Sequence, residues 1–145
     1  MSAISITPAN VLQSSGARLQ TAVTSVTVTA GQAVFYNAAL GKWSLGAAGT
    51  SGAQAVSGIA IQSAAAGQNL TVALTDPAFA LGASVASGST IWLHTTAGDL
   101  TLTQGDLTTG DSVIAVGVAQ GTTGGSTNLI FLNPTPAAPA TAGVL

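Results

Sequence analysis

Charge is what this chain lacks most. Lys and Arg number two, Asp and Glu four, and 4% of the residues are charged, where ordinary globular domains sit near ~25%. The cations are Arg18 and Lys42, the acids are Asp76, Asp99, Asp106 and Asp111, and there is no Glu. Two cations cannot neutralise a phosphate track, the main source of non-specific affinity for nucleic acid, so no nucleic-acid partner is expected. Cysteine is absent, which excludes a disulfide scaffold and any thiolate metal site. Long apolar runs are missing too. The longest pieces resemble Leu129-Ile130-Phe131-Leu132 and Val113-Ile114-Ala115-Val116, far short of the ~18 residues of a spanning helix, so no membrane partner is expected. The start, MSAISITPAN, has no basic n-region and no continuous apolar stretch, so no secretory signal is expected. Disorder is excluded from the other side, because 47% of the residues are hydrophobic while unfolded chains combine low hydrophobicity with high charge.

What remains is short alternation of Ala, Val, Ile and Leu with Thr, Ser and Gln. Helical periodicity is nearly absent. Period-2 runs bounded by Gly or Asp predict strands over 22–29, 32–37, 42–45, 56–62, 69–75, 89–95, 99–103, 112–119 and 127–133. Gly41, Gly98-Asp99 and Asp76-Pro77 read as turns. The stretch 53–66 is ambiguous with a short helix, against which Gly58 counts. Residues 1–18 read as an arm carrying Ile4, Ile6, Val11 and Leu12, residues 19–133 as the β domain, and the Pro/Ala-rich residues 134–145 as an extended, polyproline-like tail. Uncharged edge strands are prone to pair with other chains, and net charge near zero favours association. An obligate oligomer therefore fits this composition better than a monomer.

The middle of the chain repeats itself. Gly31, Val34, Tyr36, Gly41, Trp43 and Leu45 have counterparts in Gly88, Ile91, Leu93, Gly98, Leu100 and Leu102, all at one offset (88 − 31 = 57). Gly58-Ile59-Ala60 matches Gly117-Val118-Ala119, and Asn69-Leu70 matches Asn128-Leu129, both at a second offset (117 − 58 = 59). Each unit, about 30–74 and 87–132, reads as a hairpin followed by two more strands. Gly58 and Gly117 interrupt apolar strands, which marks a bulge or a close backbone approach. The expected fold is all-β, a small barrel or sandwich in which two similar β units close each other, with extended N- and C-terminal arms.

Chemistry is scarce. His94 is the single histidine, at the end of TIWLH, and no G-x-S-x-G elbow accompanies it. A structural histidine is the better reading, with a hydrolase built on His94 as the enzymatic alternative. Asp99, Asp106 and Asp111 follow glycines at turns, and their spacing matches no calcium loop. GTTGGS and GAAGTSG lack the Lys and following helix of a phosphate cradle. No catalytic, metal or cofactor-binding residue is therefore expected. The large side chains include Trp43 and Trp92. They serve to fill an Ala- and Val-rich core, or to anchor an interface.

Taken in order, TAGQAVFYN, SGIAIQSAAAGQNLTVAL, GDSVIAVGVAQ and NLIFLN resemble the small head-decoration, or cement, proteins of tailed bacteriophages. The matching positions are Gly31-Gln32, Gly58-Ile59-Ala60, Ala64-Ala65-Ala66-Gly67 and Gly117-Val118-Ala119, within about 27–132. Where the family carries an acidic residue after the second-half glycine, this chain has Ser89, and Trp92 stands near its strand aromatic. The resemblance implies a non-enzymatic virion protein, made in the host cytoplasm. It would assemble commonly as a homotrimer on the capsid exterior and join neighbouring copies of the major capsid protein. Ile4, Ile6, Val11, Leu12, Trp43 and Trp92 are the expected capsid or subunit contacts, and removing residues 1–18 is expected to weaken capsid binding while sparing the β domain. The alternative is a phage fibre or surface module that binds a glycan through exposed Trp43 or Trp92.

Overall fold

Val34 and Tyr36 alternate with Ala33 and Phe35, and Trp43 and Leu45 answer them across a turn at Gly41, whose φ of 67° suits glycine. That hairpin begins the architecture. The computed structural model describes residues 3–49, 56–103, 112–122, 124–134 and 138–139. Its strands are β1 (Arg18–Val23), β2 (Ala33–Asn37), β3 (Lys42–Leu45), β4 (Gly58–Ala60), β5 (Asn69–Ala86), β6 (Thr90–Leu93), β7 (Leu100–Thr101), β8 (Ser112–Val113), β9 (Ala115–Ala119), β10 (Ser126–Leu132) and β11 (Ala138–Pro139). A 3-10 turn at Pro8–Asn10 is the one helical element among the described residues. The protein is all-β. Nine strands form a curled, antiparallel half-barrel in the order β3-β2-β4-β5-β10-β9-β6-β7, with β1 on β5 off that path, and β8 pairs with β11 apart from it.

The ambiguous stretch 53–66 holds strand β4, not a helix, in its described part, and residues 50–55 lie outside the described residues. The expected strand 112–119 breaks at Ile114, whose side chain is fully buried, into β8 and β9. Of the tail, 138–139 forms β11, and the remainder beyond 134 lies outside the described residues.

The repeat is written into the pairing. Val34 faces Gly58 as Ile91 faces Gly117, and Tyr36 faces Trp43 as Leu93 faces Leu100. The Gly31 N–H donates to the Ala60 carbonyl at 2.8 Å, and its counterpart Gly88 N–H to the Ala119 carbonyl at 2.9 Å. Both interior glycines are demanded by close approach. A Cβ on Gly58 would lie 2.1 Å from the Ala73 carbonyl oxygen, and one on Gly117 would lie 2.4 Å from that of Phe131. Ala73 and Phe131 are therefore equivalent (131 − 73 = 58), one residue out of step with the Asn69/Asn128 match.

The structure also extends the repeat upstream. Gln20 of β1 faces Val72, and Phe79 of β5 faces Ile130, the counterpart of Val72. β1 thus corresponds to the second part of β5. Each unit has five strands: β1, β2, β3, β4 and residues 69–75 in the first; residues 76–86, β6, β7, β9 and β10 in the second. Strand β1 begins at Arg18, earlier than the sequence pattern indicated, and only isolated bridges at Thr24 and Val28 follow it.

Asp76-Pro77, expected as a turn, lies inside the uninterrupted strand β5. The reason is local. Leu132 faces Asp76 and Ile130 faces Phe79, so β5 carries one extra residue there, a bulge that absorbs Pro77 and its missing N–H. Asp76 still acts as a turn-type acceptor, since its Oδ1 takes the Ala78 N–H at 2.9 Å.

One strand ending the first unit and beginning the second dictates how they stack. Let the front of a unit be the face carrying Val34 or Ile91, and the back the opposite one. The main core joins the back of the first unit (Ala33, Ile59, Ala73) to the front of the second (Phe79, Ile91, Leu93, Ile130, Leu132). The front of the first unit has a smaller core of its own, with Val34, Trp43, Leu70 and Val72 under Val28 and Ala64.

Candidate functional site

The arm is the first candidate. It does not project. Val11 is buried in the main core, and Ile4 and Ile6 pack against that core. Backbone bonds run from Ile4 N–H to the Leu100 carbonyl (2.7 Å) and from Thr7 N–H to the Gly82 carbonyl (2.9 Å), and Leu12 and Ala80 exchange a pair (3.1 and 2.9 Å). The arm therefore bridges β7 and the second part of β5. In the first unit the gap is closed from within, where the Ser25 N–H reaches the Trp43 carbonyl at 2.9 Å. Gly82 makes room: its φ is 83°, and a Cβ there would sit 2.8 Å from the Thr7 carbonyl oxygen. At the arm's end the Asp76 carboxylate, 2% exposed, accepts the Ser14 N–H at 2.7 Å and the Ser14 hydroxyl. So Ile4, Ile6 and Val11 are intramolecular packing residues, and of the arm's four apolar candidates only Leu12, 63% exposed, faces outward.

Trp43 is not a surface residue. It is 1% exposed, because Tyr36 stacks edge-on against it with ring centroids 5.6 Å apart and Val34 and Val72 share its core. Trp92 is half-buried on the back of β6. Among the aromatic side chains, Tyr36 is 44% exposed and Phe131 54%.

His94 is buried. Its Nδ1 accepts the Thr96 N–H at 3.0 Å, and its carbonyl accepts the Ala48 N–H at 3.0 Å, tying the two units together. In a Ser-His-Asp triad that same nitrogen donates its proton to the orienting carboxylate; here it is an acceptor. Among the described residues no three His, Cys, Asp or Glu side chains gather as metal ligands. Asp106 and Asp111 lie outside the described residues. No helix among the described residues is long and apolar enough to cross a membrane.

Two surfaces stand out. The back of the second unit exposes Phe131 and Val118, register partners on β10 and β9, beside Thr90 and the half-buried Trp92. Their equivalents in the first unit, Ala73, Ile59, Ala33 and Phe35, are all buried. The second surface is the front of the first unit, where a pocket of about 370 Å³ is lined by Gln20, Tyr36, Trp43, Ser57, Leu74 and Asn133, among others. Their equivalents in the second unit, such as Phe79, Leu93 and Leu132, are covered by the first. No protein-family model, curated protein or solved structure matches the chain.

Phe131 and Val118 are not among the contact residues expected from the sequence, because the unbroken apolar run Leu129-Ile130-Phe131-Leu132 has no polar residue to mark an outward face. Aligning the units would have exposed them, since a large side chain at 131 replaces the small Ala73 at an equivalent position.

Proposed function

We propose that this chain is a structural virion protein that binds the outer surface of a phage capsid as a homotrimer and cements the head by joining neighbouring major capsid proteins. The observation that carries the reading is a set of exposed, uncharged apolar side chains on an all-β body, Phe131 with Val118 suited to contact between copies and outward-facing Leu12 suited to the capsid. Faces of this kind pack against a partner without stripping ions of water, which is costly. Subunits held together add their individual contacts, so modest ones suffice. The ordered sequence resemblance to cement proteins supports the same conclusion. On this reading the protein has no enzymatic role.

The test is co-sedimentation with expanded, undecorated phage heads. Saturable binding that raises the temperature at which heads release DNA is the expected result. Absence of binding to heads of the parent phage would overturn the proposal. A glycan-binding surface module is the second reading. It cannot rest on buried Trp43; exposed Tyr36 beside Gln20, Ser57 and Asn133 offers a ring for stacking with polar groups around it. Glycan-array binding abolished by Tyr36→Ala would favour that reading over the first.

A further inference from the structure

The chain already makes one interface twice over, but completes it only once. The back of the first unit covers the front of the second, forming the main core. The same two surfaces recur unmated: the back of the second unit is exposed at Phe131 and Val118, and the front of the first is open as the pocket at Tyr36. Their shapes are complementary in the opposite sense to the internal pair. Inside the chain, a back whose small residues Ala33 and Ala73 flank Ile59 lies against a front filled by large ones (Phe79, Leu93, Leu132). Outside, a back with large projecting residues is available for a front that has a hollow. At equivalent front positions Gln20, Tyr36 and Ser57 replace Phe79, Leu93 and Val116. None of the residues lining the pocket is an acid, a lysine or an arginine, and neither Phe131 nor Val118 has a charged strand partner.

We propose that a second copy of this chain docks head to tail. The back of its second unit covers the front of the first unit, with Phe131 entering the pocket floored by Trp43 and rimmed by Tyr36. The contact continues the interface already present between the units and requires no capsid partner. It is heterologous, so repeating it either closes a ring or extends a filament. The polar groups at the front make the contact between copies wetter than the internal one, as expected of a surface that must also exist uncovered.

Because the two faces differ, the test is complementation. Phe131→Asp breaks the back and leaves the front; Tyr36→Lys breaks the front and leaves the back. Each variant alone is expected to be a monomer by light scattering while keeping the parent's far-ultraviolet circular dichroism. An equimolar mixture is expected to give a dimer, because one sound contact survives between unlike chains. The absence of natural cysteine allows an independent check. Phe131→Cys combined with Tyr36→Cys should crosslink copies through a short bismaleimide, while neither single variant should. Assembly unaffected by Phe131→Asp, a parent protein that stays monomeric as its concentration rises, or crosslinking by Phe131→Cys alone would each overturn the proposal.

Discussion

The two units share one plan of five strands and differ in what covers them. The first is buried across its back and over part of its front: Ile59 faces the main core, Val34 and Val72 face the smaller one, and the front stays open at Tyr36. The second is buried on one side only, and Val118, the equivalent of Ile59, is 40% exposed. Closure differs as well. The first unit uses its own Ser25 against β3, whereas the second borrows the arm, with Ile4 on Leu100 and Leu12 on Ala80. The plan of strands is thus common to both units, while position in the chain decides how much of each is covered. Net stability in small domains is only several kcal/mol, so unequal covering should give sharply unequal responses to equivalent changes.

Removing residues 3–16 should have the largest effect. It takes Val11 out of the core and strips backbone partners from Gly82, Ala80 and Leu100. A buried aliphatic side chain alone is worth about 1.5–3 kcal/mol. Loss of the cooperative thermal transition is expected, contrary to the sequence reading that the β domain would survive. An unchanged melting curve would show that the second unit needs no borrowed closure.

Next comes the pair Ile59→Ala and Val118→Ala, measured by urea denaturation. The first should cost about 2–5 kcal/mol, as buried aliphatic truncations do. The second should stay within about 0.5 kcal/mol in the monomer, as exposed substitutions do. Equal costs would mean that the two backs are equally covered.

Gly58→Ala and Gly117→Ala sharpen the comparison the other way, because here the units should agree. Each added methyl meets a carbonyl oxygen, at 2.1 and 2.4 Å. Both should destabilise by about 1–3 kcal/mol, the usual cost of overpacking. A neutral result at either site would break the equivalence of Ala73 and Phe131.

The most local effect is expected for Asp76→Ala. It deprives the Ser14 and Ala78 N–H groups of their acceptor, at a cost of about 1–3 kcal/mol for the unsatisfied donors, with part regained because Ser14 lies near solvent. Faster proteolytic cleavage within the arm, with the rest of the chain still protected, is the readout.

Much of this architecture is legible in the sequence. Gly31 and Gly88, or Gly58 and Gly117, are fixed by turns and close approaches that no larger residue tolerates, so they persist in both copies and reveal the repeat. The hairpin at Gly41 and the apolar alternation in β2, β3, β6 and β10 are equally plain. The first strand of each unit is not. Gln20 and Phe79 share no chemistry, because one lines an open pocket and the other a core. Asp76-Pro77 has the chemistry of a turn, and only the pairing of Ile130 and Leu132 across it shows a bulge. Trp43 and Tyr36 lie opposite each other on one face of a hairpin; alternation cannot say which one the core encloses. The arm's role was hidden because its partners, Gly82 and Leu100, are remote in sequence.

That remoteness governs how the chain must fold. Ala3 bridges to Thr101, so residues made earlier wait for ones made much later. Contacts of such long separation slow folding, because loop entropy is lost before they form. Until Leu100 and Thr101 have emerged, the start of the arm lacks the partners that complete the closure, and an unpaired, uncharged edge is the kind of transient surface that invites aggregation. The staves that the arm joins are thus made far apart in time, and synthesis that stalls before residue 100 should leave a chain that depends on chaperones to stay soluble.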